Sequence, residues 1–325
     1  MKINYKAKKS LTVFASALLA LSVIFFPVLY AGQNVNAAGE NSQDRVVVLG
    51  SGLNNTQKTD TLERLGIDPE SEITLHTVTG SDAERFIDQS FADSAMISSV
   101  IVEFKEEGAG VSTKIVTPEN ITKVKTYQYS NAAITAGIYD CEITVGSIRS
   151  VTGNSALTGV YKAAEIHGIE LDRDKMIAGN EELITITVIE DNNANNEEFD
   201  SEDFSKALTE IKGQIAELVE KEGSENISIE QITVIINNVL NNYNINISQS
   251  DIDRLAETLE KFKNTLKAED VDKILEQLQS FGEKTWGIAL DFIETAKEGG
   301  WWNQVVDFFT RIFEAIVKFF TNLFN

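Results

Sequence analysis

Cysteine and histidine are scarce in this chain of 325 residues, and each scarcity excludes a class of chemistry. The single cysteine, Cys141, excludes an intramolecular disulfide framework. The only two histidines, His76 and His167, exclude a three-histidine zinc site, and neither lies in a nucleophile-elbow or zincin motif. Cys141 lies in an alternating run that indicates a strand, so we expect it to be a buried structural thiol.

Basic residues are also few, with 28 Lys and Arg against 50 Asp and Glu. Residues 1–37 hold four of the lysines and no acid, so residues 38–325 carry a formal net charge of −26. This charge excludes nucleic-acid binding through phosphates, because phosphate contacts require Lys and Arg. Anionic lipid and anionic wall polymer should repel the chain for the same reason.

The N-terminus has the pattern of a secretory signal peptide. Four lysines precede an uncharged, mostly apolar run from Leu11 to Tyr30, and Val35 and Ala37 place small residues before a cleavage site. We therefore expect residues 1–37 to be a signal peptide and the rest of the chain to be extracellular or at the cell surface. The apolar run is roughly long enough to span a bilayer, so an uncleaved membrane anchor is the alternative.

Residues 38–190 are predicted to form a mixed α/β domain, because strand patterns and helix patterns alternate along them. Alternating or continuous apolar runs predict the strands, and Glu106–Gly110 predicts a hairpin turn between two of them. The predicted strands cover 46–49, 72–79, 100–104, 111–115, 141–145 and 184–188.

Helix-capping patterns lie between these strands. Asn54 and Gln57 have the spacing of a capping box, and so do Ser81 and Glu84. Thr117 precedes a proline that suits the first position of a helix. The predicted helices end at Gly66, near Ser90, at Ile138 and at His167.

An acidic, Asn-rich stretch at 191–200 is predicted to be a linker. Beyond it every apolar pattern has a helical period, which predicts a helical domain at 201–298. The expected fold class is therefore an α/β (mixed) N-terminal domain followed by an all-α helical C-terminal domain. The apolar stripes begin at Phe204, Ile232, Ile252 and Val271.

The last segment, 299–325, is predicted to be an amphipathic aromatic helix with a wide apolar arc and polar residues on the opposite face. Such a helix is typical of a membrane-interface helix or a self-association surface, and packing on the preceding helices is the plain alternative. Its four charges cancel, whereas membrane-surface helices usually carry a basic face, which favours packing or self-association. The aromatic residues are Trp301, Trp302, Phe308, Phe309, Phe313, Phe319, Phe320 and Phe324.

Oxygen-bearing side chains around the linker have the spacing of a calcium loop of EF-hand type. Asp191, Asn193, Asn195 and Glu202 fall on positions 1, 3, 5 and 12, where such loops place calcium ligands. Position 8, normally apolar, is occupied by Glu198. A solvated acidic linker is the alternative interpretation.

Several short stretches carry a resemblance to a known family. They are Val46–Gly50, Ile97–Val100, Asn131–Gly137, Val151–Val160 and Glu181–Leu183. With these stretches the chain resembles the YpuA-like family of secreted Gram-positive proteins, a domain of unknown function, over roughly residues 44–290. The resemblance implies export and a discrete folded unit. It implies no activity and no catalytic residue.

The sequence favours a non-enzymatic secreted or cell-envelope protein that binds or assembles. The partners expected are a membrane surface, contacted peripherally, or another copy of the chain, in either case through the C-terminal helix. No cofactor is expected other than calcium. The alternative function is a carboxylate-based hydrolase that acts on cell-wall polymer, which requires two acids converging in a cleft. No spacing in the sequence identifies such a pair.

Overall fold

A computed structural model describes residues 44–287. The predicted signal peptide and the aromatic segment 299–325 lie outside the described residues. The strands are β1 Arg45–Gly50, β2 Leu75–Val78, β3 Ser99–Phe104, β4 Val111–Ile115 and β5 Cys141–Gly146. The helices are α1 Asn55–Arg64, α2 Gly80–Ile87, α3 Thr126–Thr135, α4 Asn154–His167, α5 Arg173–Asn193, α6 Ser201–Glu222, α7 Ile229–Asn242, α8 Gln249–Thr265 and α9 Val271–Trp286.

The strands form one mixed sheet in the order β2-β1-β3-β5-β4. β1 and β2 are parallel, β4 and β5 are parallel, and β3 runs antiparallel to both of its neighbours. Val48 pairs with Val100, which pairs with Val145 on the other side, so buried residues lie side by side across the centre. A mixed sheet followed mainly by helices agrees with the predicted order of an α/β part and a helical part.

Helices cover both faces of the sheet. α1 follows the predicted capping box of Asn54 and Gln57 and packs Leu62 and Leu65 against one face. α4 lies on the opposite face against β1 and β3. Gly159 permits this contact, because a Cβ at that position would lie 3.1 Å from Cγ2 of Val100.

The larger core continues from the sheet into the later helices. It runs from Val46 in β1 to Phe281 in α9, and the predicted apolar stripes are confirmed on α6, α7, α8 and α9. α5 packs between α3 and α8, and α6 packs on α7 and α9. The predicted division into two domains stays a prediction. Within residues 44–287, none of the helices is both long enough and apolar enough to cross a membrane.

The strand predicted at 184–188 is wrong, because these residues lie inside α5. The Asp172 side chain accepts a hydrogen bond from the backbone N–H of Asp174 and so begins the helix. The alternating Ile and Thr residues lie between α3 and α8, where even a threonine is buried: the hydroxyls of Thr185 and Thr258 are 2.8 Å apart. Packing on several sides therefore overrides the β propensity of these β-branched residues.

The hairpin predicted at 106–110 is wrong in its pairing. β3 and β4 are not neighbours, because β5 lies between them. The segment does turn, since Gly108 and Gly110 have φ of 83° and 64°. The Gly110 N–H donates to Oδ1 of Asp140 at 2.8 Å, and the N–H of Cys141 donates to the Gly110 carbonyl at 3.1 Å. These contacts direct β4 to the far side of β5.

The helix predicted to begin after Thr117 begins instead at Thr126. Oγ1 of Thr117 accepts a hydrogen bond from the N–H of Ser147 at 2.8 Å, so it serves a neighbouring loop rather than a helix N-terminus. Ile121 forms an isolated parallel bridge with Val151, which keeps this stretch extended.

The second capping box is formed by Thr79 and Asp82, and the predicted pair Ser81 and Glu84 is wrong. Thr79 accepts from the backbone N–H of Asp82, and Oδ2 of Asp82 accepts from the N–H of Thr79 at 2.9 Å. Thr79 with Asp82 and Ser81 with Glu84 both have a hydroxyl side chain followed three residues later by a carboxylate. Because β2 ends at Val78 and α2 begins at Gly80, the first pair forms the capping box.

Candidate functional site

A buried ion pair lies where α3, α5 and α6 meet. Lys212 is 0% exposed and Glu182 is 1% exposed, and Nζ of Lys212 lies 2.9 Å from Oε1 of Glu182. Nζ also donates to Oγ1 of Thr135 at 2.8 Å and to the carbonyl oxygen of Asn131 at 3.1 Å. The ammonium lies 5.1 Å from the ring centroid of Phe262 on α8. The ammonium protons therefore all have acceptors inside the protein.

Burial lowers the pKa of Lys212, and the charge and hydrogen bonds of Glu182 oppose this shift. The hydroxyl of Thr135 donates to Oε2 of Glu182 at 2.5 Å, so the carboxylate is held by two partners. Because both charged groups are sealed from solvent, no substrate can reach them, and the cluster acts as a structural joint. Three of its residues, counting Asn131, lie in the stretches that carry the family resemblance.

Sequence reasoning missed this cluster. The available signal was Lys212 itself, which lies among Leu208, Ile211 and Ile215 in the apolar part of α6. A lysine at such a position requires a buried anion, since an unpaired buried charge is strongly unfavourable. Its partner lies on another helix, so no local spacing identifies it.

A second polar cluster spans the segment between α5 and α6. The hydroxyl of Tyr127 donates to Oε1 of Glu190 at 2.5 Å, and Oγ of Ser201 donates to Oε2 at 2.9 Å. The ammonium of Lys125 contacts both Glu190 and Ser201. Burial, followed by the charge of Glu190, raises the pKa of Tyr127 well above its usual value. These contacts hold the start of α3, the end of α5 and the start of α6 together.

Glu217 on α6 is a buried carboxyl group in a different situation. Burial raises its pKa to about 7, partly offset by Lys221, whose Nζ lies 4.0 Å away. Its Oε2 atom has no hydrogen-bond partner among the residues that the structure describes. Glu220, exposed and three residues further along the helix, adds a negative charge that also raises this pKa. A carboxyl group with this pKa can hold or release a proton near neutral pH.

The predicted calcium ligands begin in the last turn of α5. The carboxylate of Asp191 pairs with Nζ of Lys123 at 2.8 Å. Nδ2 of Asn193 donates to the carbonyl oxygen of Ile189 at 2.8 Å, one turn back along the helix. Both residues are therefore engaged by protein groups.

The other two predicted ligands lie beyond the helix. Asn195 is exposed in the turn that follows α5, and Glu202 in the first turn of α6 pairs with Nζ of Lys206 at 2.9 Å. In the described part of the chain, no group of three or more His, Cys, Asp or Glu residues is arranged to hold a metal ion. The calcium site stays a prediction.

The cysteine and the two histidines considered for nucleophilic or metal chemistry lie in three different elements, β5, β2 and α4. Cys141 is buried, as predicted, and burial raises the pKa of its thiol to about 12. His76 lies in the edge strand β2. His167 ends α4 and stacks on the ring of Phe104, with a centroid separation of 3.9 Å and an interplanar angle of 11°.

The surface of the described residues includes two sizeable open depressions. One, of about 410 Å³, lies at the end of β3 beside Phe104 and Glu103. The other, of about 490 Å³, lies between the start of α5 and the end of α8, with Ile177 and Ala178 in its lining. At its rim the Glu181 carboxylate pairs with Nζ of Lys261 at 2.6 Å. Both depressions carry charges of both signs, which indicates no single class of ligand.

Comparison with known proteins identifies a family. The family model described as "Protein of unknown function (DUF1002)" matches residues 49–281, which include the end of β1, the other four strands and both buried clusters. The chain is similar to "Uncharacterized protein YpuA" of Bacillus subtilis (strain 168), with 26% identity over 308 residues that cover 93% of this chain and 97% of that protein. No solved structure matches. These matches confirm the resemblance found in the sequence, and the chain belongs to the DUF1002 family of proteins of unknown function.

Proposed function

We propose that this chain is an exported, non-enzymatic protein of the cell envelope that assembles with further copies of itself through residues 299–325, called here the aromatic segment. The leader pattern of residues 1–37 supports export and leaves residues 38–325 as the mature chain. The observation that carries the proposal is the sequence of the aromatic segment. On the helix that its pattern predicts, the eight Phe and Trp residues would form an apolar arc wider than a bundle helix usually needs.

Charge favours another copy of the chain over a membrane as the partner. Membrane-surface helices usually carry a Lys/Arg-rich polar face, whereas Asp307, Arg311, Glu314 and Lys318 cancel. The mature chain adds a formal net charge of −26, which anionic lipid repels. Copies of the chain repel each other as well, and salt screens both repulsions. The preference for another copy therefore depends on the balanced charges of the segment, which give no basic face for lipid.

The buried polar clusters of the described residues support a non-enzymatic role, because their polar groups are occupied by contacts within the fold. Lys212, Glu182, Tyr127 and Glu190 are all held by other groups of the same fold. The family match ends at residue 281, so the aromatic segment follows the domain common to the family. A folded domain with an appended amphipathic segment suits attachment or assembly.

The test compares two sets of substitutions in the mature chain by sedimentation equilibrium and by flotation with neutral and anionic vesicles. The first set changes the apolar arc and the second changes only the polar face. The apolar set is Phe309→Ser, Phe313→Ser and Phe320→Ser. The matched control is Thr310→Ser and Thr321→Ser.

We expect the unsubstituted chain and the control to be oligomeric, and the apolar set to be monomeric with an unchanged circular dichroism spectrum. Flotation of the unsubstituted chain with neutral vesicles, lost in the apolar set, would replace assembly with membrane attachment. An unsubstituted chain that is monomeric and does not float with vesicles would overturn the proposal.

The second candidate is the alternative function, a carboxylate-based hydrolase acting on wall polymer. The observation that favours it is the pKa of Glu217, which burial raises to about 7. Glu217 is only 4% exposed, so this function requires α6 to move and admit the polymer. Glycosidases use a pair of carboxyl groups in which the proton donor has a raised pKa, and Glu220 is the second carboxyl group near Glu217. The test is release of soluble sugar from purified cell wall by the mature chain. Release that Glu217→Gln abolishes, and Glu220→Gln reduces, would establish this function in place of assembly alone. Absence of release from the unsubstituted chain would dismiss it.

A further inference from the structure

Strand β2, at the edge of the sheet, carries an unusual exposed apolar surface. Ile73, just before the strand, is 40% exposed, and Leu75 within it is 43% exposed. Among the residues that the structure describes, the one further large apolar residue with comparable exposure is Val116. Thr77 is exposed on the same side as Leu75, because alternate residues of a strand share a face. One face of the edge is therefore apolar and open.

The backbone of these same residues points away from the sheet. The N–H of Ser51 donates to the carbonyl oxygen of Val78 at 2.9 Å, so the polar groups of Val78 face β1. Along a strand, the N–H and C=O groups of successive residues point alternately toward and away from the neighbouring strand. The N–H and C=O groups of Leu75 and Thr77 therefore point toward the free edge. They supply two N–H donors and two carbonyl acceptors, for which the described residues provide no neighbouring strand.

The edge lacks several of the usual protections against strand addition. Residues 72–79 contain no lysine and no proline, which edge strands commonly use to prevent pairing. The strand is short, so a partner would gain only a few backbone hydrogen bonds, as suits a reversible contact.

The segment that precedes β2 along the chain is negatively charged. Asp68, Glu70 and Glu72 precede the strand and are exposed. None of the three forms an ion pair with another residue in the range 44–287. The first Lys or Arg after them along the chain is Arg85, which pairs with Asp82 and Glu165.

We propose that the free edge of β2 binds an extended segment of a partner protein that carries alternating apolar residues flanked by Lys or Arg, and that this segment adds a strand to the sheet. The backbone of Leu75 and Thr77 supplies the ladder, the exposed Ile73 and Leu75 side chains contact the apolar residues, and the carboxylates before the strand contact the basic ones. A second copy of this chain fits less well, because it would bring the same acidic flank and no lysine.

The probe is a fluorescein-labelled peptide of alternating valine and threonine with two lysines at each end, titrated with the mature chain and followed by anisotropy. We expect saturable binding with a Kd below ~100 µM at low salt. Glu72→Lys should weaken binding by about fivefold at low salt and by less at high salt, because exposed charge pairs are screened.

Two N-methylated peptides test the ladder directly. We expect the peptide to add antiparallel, the slightly more stable pairing. In that ladder the valines on the face of Leu75 form hydrogen-bonded pairs with β2, so their N–H groups face it. Methylation of the valine nitrogens should abolish binding, and methylation of the threonine nitrogens should leave it within about twofold. Equal binding of the two methylated peptides, or no binding of the parent peptide, would overturn the proposal.

Protein variants complete the test. Thr77→Pro removes an outward-facing N–H, and Leu75→Lys adds a charge to the exposed face. Both should abolish binding while keeping the unfolding midpoint of the unsubstituted chain. If Thr77→Pro does not fold, Leu75→Lys alone tests the edge, because it keeps every backbone hydrogen-bonding group. The proposal would be rejected if the chain does not bind the peptide but forms dimers that Leu75→Lys disrupts. That result would assign the edge to a second copy of the chain.

Discussion

Replacement of Lys212 by methionine should be among the most destabilising single substitutions in the described fold. Lys212→Met preserves the length of the side chain but removes the charge that neutralises Glu182. Breaking a buried ion pair by removing one partner typically costs about 3–5 kcal/mol, because the other charge stays buried and unpaired. The free energy of unfolding of most domains is only ~5–15 kcal/mol, so this loss is a large fraction of the total.

A double substitution separates the cost of an unpaired charge from the cost of altered packing. Lys212→Met combined with Glu182→Leu removes both charges and keeps apolar volume in the core. Replacement of a whole buried pair by apolar side chains is often neutral or stabilising, so we expect the double variant within about 1–2 kcal/mol of the unsubstituted protein. The coupling between the two sites should therefore be at least ~2 kcal/mol.

Urea unfolding followed by circular dichroism measures these differences. The matched control is Lys261→Met, which breaks the exposed pair with Glu181 and should cost no more than ~1 kcal/mol. The reasoning is refuted if Lys212→Met costs no more than Lys261→Met. It is also refuted if the double variant is as unstable as the sum of the two single variants.

Three further predictions concern pH, backbone geometry and metal. The pKa of Glu217 is about 7 in the folded protein against a reference value of 4.5, so the folded form binds more protons between these values and stability falls as the pH rises through them. Glu217→Gln should remove this slope and stabilise the protein above neutral pH by about 2–3 kcal/mol, measured by urea unfolding on both sides of the window. Gly153→Ala should destabilise by at least ~2 kcal/mol, because φ is +105° and the new Cβ would lie 2.6 Å from the hydroxyl of Tyr129. Gly66→Ala, also at positive φ but with open space around it, should cost only about 1 kcal/mol in the same assay. The calcium hypothesis predicts a calorimetric heat of binding that Glu202→Ala abolishes, and equal heats in the two proteins would contradict it.

Periodic elements could be predicted from the sequence because their signal is local. α6 to α9 each place one apolar stripe at helical spacing, and α4 ends at His167, as the sequence predicts. α5 was not predicted as a helix, since the alternation around Ile184–Val188 reflects burial on several sides rather than a sheet face. The insertion of β5 between β3 and β4 depends on pairing between distant segments, which no local pattern records.

Among the candidate sites, those with a local sequence signal could be predicted and those that depend on distant residues could not. The burial of Cys141 could be predicted, because its strand pattern is local. The ion pair of Lys212 and Glu182 joins residues on different helices, and the raised pKa of Glu217 depends on what surrounds it in space. The exposed edge at Leu75 also required the strand order, since the sequence alone does not say which strand ends the sheet.

The central claim, the proposed assembly through the aromatic segment, is tested most directly by the light-scattering mass of residues 38–325 across a range of salt concentrations. The account predicts a mass at least twice that of the monomer, increasing with salt as the repulsion between chains of net charge −26 is screened. A monomeric mass at every salt concentration would contradict it.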